Sequence, residues 1–423
     1  MPKILIICPT FPPINTPDHH RVRISIPWFE SKGWDVHILA VEPQYIEAPI
    51  DSILEQLPDL CYVKRVKAFS SKWTRKIGLG NLGYRSLWQL FRNGNKLIKK
   101  NKYDLIYFST TVFPSMVLGR VWKRKFNIPF ILDFQDPWRN DFYLSKPKQD
   151  RPPKFAFSHF LNSILERFTV PHCDGIISVS EQYPKQLKER YSINTPNSII
   201  TFSASKRDFE FLKTLNTPNN YFSTSNNRIK IIYIGVVPPT MLPIIEVFFN
   251  AISQVQKTIQ NIDVYFLGTS YNINASEETP IKLLASKYGL SNFYEKTQRI
   301  SHFEVLRLLL DANIVLVPGT IDEGYTASKI YNYILSQTTI IALTHVKSSV
   351  SKILKNCNTG PVFTFTNKND LIGKEKDMIT SLLHIIRKKQ FKANTNWGYY
   401  FDFSDQRMAE KQIEFFKLIL NSK

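Results

Sequence analysis

The chain is poor in cysteine, in glycine and in acid. Its four cysteines, Cys8, Cys61, Cys173 and Cys357, are scattered, with no CxxC pair and no metal-ligand spacing. That excludes a zinc ribbon or a disulfide framework and leaves reduced, mostly buried thiols as the expectation. Fifteen glycines and 25 prolines in 423 residues are too few for a low-complexity chain. No uninterrupted apolar run reaches the roughly 18 residues that a membrane-spanning helix needs. The opening MPKILIICPTFPP offers too short an apolar stretch for a secretion signal and is broken by Pro9, Pro12 and Pro13. The expected compartment is the cytoplasm.

The shortage of acid is uneven. The formal charge is +20, and between Cys61 and Phe130 sixteen Lys or Arg stand against Asp104 alone. Phe69, Trp73, Tyr84, Trp88, Phe91 and Trp122 are interleaved with those cations. Cations beside aromatics fit an anionic membrane surface, where each contributes on the order of 1 kcal/mol, or a nucleic-acid backbone. No nucleic-acid module is recognisable, so an anionic membrane surface is the expected partner and nucleic acid is not.

What is present is a regular alternation. Hydrophobic residues make up 43% of the chain and aromatics 13%, enough for more than one core. Strand-like runs ILIIC (4–8), VHILAV (36–41), DLIYFST (104–110), FILDFQD (130–136) and GIISVS (175–180) are separated by helix-period segments such as 86–100 and 155–168. The pattern lapses into a Ser-, Thr- and Asn-rich stretch between about 202 and 228. It resumes with IKIIYIG (229–235), DVYFLG (263–268), ANIVLVPGT (312–320) and TIIALT (339–344). This alternation predicts an α/β protein of two Rossmann-like, doubly wound domains facing a cleft at the carboxyl ends of their strands. The expected boundaries are 1–205, a linker at 206–228, 229–400, and an amphipathic C-terminal helix within 401–423 that packs back on the first domain.

Behind IVLVPGT lies EGYTASKIYNYIL (323–335). Thr326 or Ser328 is a candidate helix cap with Lys329 in the first turn, and a helix N-terminus beside a cation suits a phosphate. An ordinary β-loop-α connection reads the same way. DFQDPWRND (133–141) is the richest polar cluster of the first half: Asp133 ends a strand and Asp136 lies on the loop beyond it, as a ligand-facing carboxylate or a loop-capping one.

In this order PTFPP, CDGIISVSE (173–181), TQRISHFEVLRLLLDANIVLVP (297–318) and EGYTASKIYNYI resemble the GT-B glycosyltransferases, in particular the retaining group often called family four. The resemblance spans essentially the whole chain. It implies transfer of a sugar from a nucleotide-sugar donor to a saccharide acceptor, with retention and without a metal or other cofactor. The departing diphosphate is then neutralised by protein cations. On the matching positions it implies donor contacts from Gly235, Arg299, Thr326, Ser328, Lys329 and Asn332, and catalytic roles for Asp136 and Glu323. The segment INTPDHHRVR (14–23) stands where relatives carry a Gly-rich loop and implies acceptor contacts from His19, His20 and Arg21. Two positions depart from the family pattern. Asn332 replaces the usual ribose-binding Glu, and the loop GVVPPTMLP (235–243) has no basic residue. A lipid-linked acceptor in surface polysaccharide or glycan assembly, met by a peripheral protein on the inner face of the cell membrane, is the leading expectation. A nucleotide-sugar epimerase of the same fold, or a catalytically degenerate binding or scaffold protein, is the alternative.

Overall fold

The computed structural model describes all residues except 59–60, 77, 146, 152–153, 216–218, 223–226, 271–277, 322–326 and 423. The chain forms two compact units. Met1–Ser203 with Phe403–Lys423 makes the first, and Ala204–Asp402 the second.

The first unit is built on seven strands: β1 (Lys3–Ile7), β2 (Asp35–Val41), β3 (Tyr62–Val66), β4 (Leu105–Ser109), β5 (Phe130–Phe134), β6 (Gly175–Ser178) and β7 (Asn197–Ile199). They pair in parallel in the order β3-β2-β1-β4-β5-β6-β7. Main helices are α1 (Asp18–Ser31), α2 (Leu82–Lys100), α3 (Val117–Phe126) and α4 (Phe155–Thr169). Both faces of the sheet are covered, which is why β4 and β5 are apolar at almost every position and buried throughout.

The second unit repeats this arrangement with β8 (Ile229–Ile234), β9 (Ile262–Leu267), β10 (Phe293–Lys296), β11 (Ile314–Pro318), β12 (Thr339–His345) and β13 (Val362–Phe365). Their order is β10-β9-β8-β11-β12-β13, again parallel. Its helices include α5 (Lys206–Thr214), α6 (Leu242–Thr258), α7 (His302–Asp311), α8 (Ile330–Ser336) and α9 (Glu375–Lys388). The Ser/Thr-rich stretch therefore contains a regular helix: Ser205 caps α5 by accepting from the Asp208 amide, and Phe209 and Leu212 are buried.

The chain returns to the first unit as α10 (Asp405–Asn421), capped by Ser404, which accepts from the Arg407 amide. This helix packs on α1 of the first unit. Phe416 is fully buried and edge-packed on Phe29, Trp34 and Tyr107, with ring centroids 5.6, 5.6 and 5.1 Å away.

The aromatics of the basic segment divide in two. Phe69, Trp73 and Trp88 are exposed, but Trp122 is fully buried. Its ring lies where a side chain at Gly94 would stand, so that glycine lets α2 approach α3. Trp122 is thus core, and it is withdrawn from the surface group in which its spacing placed it.

Six of the seven tryptophans belong to the first unit, so their fluorescence reports its unfolding. Phe416→Ala is expected to destabilise that unit by about 3–5 kcal/mol, seen as a lower urea midpoint of tryptophan fluorescence.

Candidate active site

In each sheet the chain winds first to one side and then to the other, reversing between β1 and β4 and between β8 and β11. The crevice at the carboxyl ends of such a strand pair is where open α/β sheets hold ligands. Polar side chains gather at both places.

In the first unit the cluster begins with a buried ion pair. Arg21 of α1 and Asp133 of β5 are 1% and 0% exposed, and Arg21 Nε lies 2.7 Å from Asp133 Oδ2. Tyr107 and Ser109 of β4 donate to the same carboxylate oxygen at 2.6 and 2.7 Å. Burial works against the Arg21 charge, but Asp133 and Tyr107 together more than offset it and hold the guanidinium above its ordinary pKa. Burial and then Asp133 push the Tyr107 phenol well up, so it stays a donor. Arg21 Nη2 and Nη1 donate to the carbonyls of Ile200 (2.9 Å) and Thr201 (3.1 Å), where the chain leaves the sheet.

One turn earlier on α1 lies Asp18, which is also buried. It accepts from the hydroxyls of Thr10 (2.9 Å) and Thr110 (3.0 Å) and from the Thr111 amide (3.3 Å). Gln135 Nε2 donates to the Asp18 carbonyl (3.2 Å) and to Ser109 Oγ (3.1 Å), tying the loop after β5 to α1 and β4. The next residue, Asp136, is open to solvent at the rim. Crowding by the surrounding loops, followed by the Asp18 carboxylate, raises its pKa above the usual carboxylate range. Asp136 thus presents the one solvent-facing carboxyl of this group.

The sequence placed His19, His20 and Arg21 together as donors to an acceptor. Only His20 is partly open, with Nδ1 3.2 Å from Arg23 Nη2. His19 is fully buried, its ring 4.2 Å from that of His20. Arg21 is committed to Asp133 and to two carbonyls. The reason is that α1 is covered by the sheet on one side and by α10 on the other, so its polar residues turn inward. Arg21 is therefore a positioning residue here, not an acceptor contact. Asp18, Thr10, Thr110 and Gln135 were not singled out from sequence. Thr10, Thr110 and Gln135 share a signal of position, each falling within a few residues of the carboxyl end of β1, β4 or β5, whereas Asp18 opens α1.

In the second unit the focus is Gly235, directly after β8. Its φ of +141° is open to glycine and strained for other residues. A Cβ there would lie 1.5 Å from Lys329 Nζ, so the Lys329 ammonium occupies the space that the missing side chain leaves. The loop is held by tyrosines: Tyr233 donates to the Val236 carbonyl (2.9 Å), and Tyr333 of α8 donates to the Ile234 carbonyl (2.8 Å). The basic residue that loop 235–243 lacks in its own sequence is thus delivered from the start of α8. Lys329 is accessible along its stem, yet its ammonium sits in a crowded recess. Burial, helped by the charge of Arg299, lowers its pKa to about 8.

Lys329 is the N-cap position of α8, one residue before the first turn in which the sequence placed it. Neither Lys329 nor Ser328 caps the helix by a side-chain hydrogen bond; Ser328 is an exposed turn residue. A helix of seven residues has little dipole to offer, so the two cations supply most of the positive field. Asn332 follows three residues after Lys329, half-buried on α8. Glu323 and Thr326 lie outside the described residues. Gly235, Lys329 and Arg299 are therefore the donor candidates brought together.

Residues 26–201 match the family model Glycosyltransferase Family 4. No curated protein sequence matches the chain. Among solved structures it is similar to sucrose-phosphate synthase from Thermosynechococcus elongatus, with 14% identity and a TM-score of 0.63 over 100% of both chains. It is also similar to Anabaena HepE in complex with UDP and glucose, with 12% identity and a TM-score of 0.59 over 99% of this chain and 100% of that one. A third is WaaG, a glycosyltransferase involved in lipopolysaccharide biosynthesis, with 13% identity and a TM-score of 0.54 over 96% and 98%. At these identities the structural likenesses establish the fold, two Rossmann-like units of the GT-B kind.

Arg21→Ala is expected to destabilise the first unit by about 3–5 kcal/mol, because it strands Asp133 as an unpaired buried charge. His20→Ala, at the half-open position, is expected to stay within about 1 kcal/mol of wild type. Urea denaturation followed by tryptophan fluorescence measures both.

Proposed function

We propose that this chain, whose residues 26–201 match Glycosyltransferase Family 4, is a glycosyltransferase that transfers a sugar from a nucleotide-sugar to a lipid-linked saccharide acceptor, with retention and without a metal. The observation that carries the donor half is the Lys329 ammonium standing in the space kept free by Gly235, with Arg299 near enough to bear on it. Two cations at one strand-end crevice are what a leaving diphosphate requires when protein does the neutralising. HepE was solved with UDP and glucose, which makes uridine nucleotides the first probes here.

In the proposed step the bond between the sugar's anomeric carbon and the diphosphate oxygen breaks, and the negative charge collects on the phosphate beside Lys329 and Arg299. The acceptor hydroxyl attacks from the same face, and its proton passes to the departing phosphate oxygen. The anomeric configuration is retained. Asp136 orients the acceptor hydroxyl by accepting a hydrogen bond, and Glu323 stays assigned to the sugar by family resemblance alone. Asn332 accepts from the ribose as a neutral amide, with a weaker grip than a carboxylate would give. A cytoplasmic site at the inner leaflet, in surface polysaccharide or glycan assembly, belongs to the same reading.

Titration calorimetry with nucleoside diphosphates tests the donor half. Lys329→Ala is expected to weaken binding by roughly 10- to 100-fold, the worth of one charge-assisted hydrogen bond. The pH dependence has a definite sign. With its free pKa lowered to about 8, Lys329 loses its charge as pH rises through that value, so wild-type affinity falls there. The anionic ligand draws the pKa back up, and binding takes up protons in the same window, read as a buffer-dependent enthalpy. Lys329→Ala shows neither effect. Absence of binding by any nucleotide in the wild type would favour the scaffold alternative over an enzyme.

A further inference from the structure

The helix with the most exposed apolar side chains lies outside the basic segment. On α4, Phe157, Phe160, Ile164 and Phe168 are 47%, 61%, 48% and 39% exposed. Their spacing of three, four and four residues aligns them along one side of the helix, as one stripe. Isolated exposed apolar residues need no explanation, but a contiguous stripe marks an interaction surface.

Helix α3 packs beside α4 and borders the stripe with cations. The Arg120 guanidinium lies 4.1 Å from the centre of the Phe168 ring and donates to the Phe168 carbonyl at 2.8 Å, so it is fixed against the edge of the stripe. Lys123 is already paired with Asp174 at 2.8 Å. Arg124 and Lys125 are exposed. A shallow groove of about 260 Å³ runs between the two helices, and its described lining is Arg120, Val121, Arg124, Lys125 and Phe168. Three cations and no carboxylate line it. Exposed Arg92 and Lys96 on α2 extend the positive border beyond α3.

We propose that this face of α3 and α4 docks on an anionic lipid bilayer. The α4 rings and Ile164 enter the boundary between headgroups and acyl chains, and Arg120, Arg124 and Lys125 sit at the depth of the phosphates, one of which fits the groove. An apolar stripe edged by cations has the two-part character of surface-bound helices, apolar insertion plus attraction to anionic lipid. The cationic border and the overall charge of +20 favour an anionic surface over a second copy of the same basic chain. The inference supplies the membrane contact that a lipid-linked acceptor calls for, but it stands on exposure and charge and does not rest on the donor chemistry.

Flotation of the full-length protein with phosphatidylcholine vesicles, with or without phosphatidylglycerol, tests it at low and high salt. Wild type is expected to float with the mixed vesicles and to release as salt rises. The double variant Phe160→Ser/Ile164→Ser is expected to lose about ten-fold or more in partitioning. Arg124→Glu/Lys125→Glu is expected to lose the preference for anionic vesicles. Both pairs are exposed, and an unchanged urea midpoint and unchanged nucleotide binding confirm intact folding. The proposal is overturned if wild type ignores mixed vesicles, if the serine pair floats as wild type does, or if binding survives that pair and falls with Trp73→Ser. It is equally overturned if the serine pair alters the oligomeric state in gel filtration and leaves flotation unchanged. Flotation that persists while no nucleotide binds sinks the transferase reading and leaves this one standing.

Discussion

The architecture of the first unit depends on how it accommodates one buried guanidinium. Arg21 is charged inside an apolar sandwich, and such a group is tolerable only when it is paired. Asp133 supplies the counter-charge, Tyr107 and Ser109 fix that carboxylate, and Ile200 and Thr201 each accept from a terminal nitrogen. The network reaches the far end of the sequence. Gln412 of α10 donates to the Tyr107 hydroxyl at 3.1 Å and accepts from Ser25 of α1 at 2.7 Å. One set of polar contacts thus joins α1, two central strands, the exit segment and the returning helix. Around it the apolar contacts of Phe416 seal α10 in place. The polar network specifies where the helix sits, and the aromatic packing supplies most of the free energy that keeps it there.

The same buried pair explains a limit on what sequence can tell. Arg21 and His19 read as ligand donors because the family resemblance sets their segment where relatives carry a Gly-rich ligand loop. What holds Arg21 inward is Asp133 of β5 and the exit segment at Ile200 and Thr201, both distant in sequence, while α10, almost four hundred residues later, adds a cover over α1. Local spacing carries no information about that cover. Asp18 was overlooked for the complementary reason: as a first-turn acid it reads as a dipole-compensating cap. Only the parallel pairing of β1 with β4 brings Thr110 and Thr111 to it from ninety residues away.

The strands show where legibility ended. Nine interior strands were readable as apolar runs, and the structure has them at those places to within a few residues. The four unread strands, β3, β7, β10 and β13, are the edges of the two sheets. Each has at most one fully buried residue. An edge strand is covered on fewer sides, so its composition is free to be mixed, and YVKRV or FYEK carries no pattern that separates it from a loop. Burial on both faces is what writes a parallel strand into the sequence, and the edges lack it.

The two units treat charge in opposite ways, and this division gives the candidate site its logic. In the first, an arginine is fully buried against a carboxylate and two carbonyls and its pKa is raised, so it holds structure. In the second, Lys329 lies in a recess with another cation bearing on it and its pKa is lowered. A cation held in a crowded recess, with a like charge beside it, favours any anion that relieves it, because binding restores its preferred protonated state. The space for that cation exists only because residue 235 has no side chain. The bare loop after β8 and the lysine of α8 are therefore one feature divided between two distant stretches of sequence. Any side chain at position 235 would compete with Lys329 for the same volume. The glycine there is the condition for the lysine to be in place.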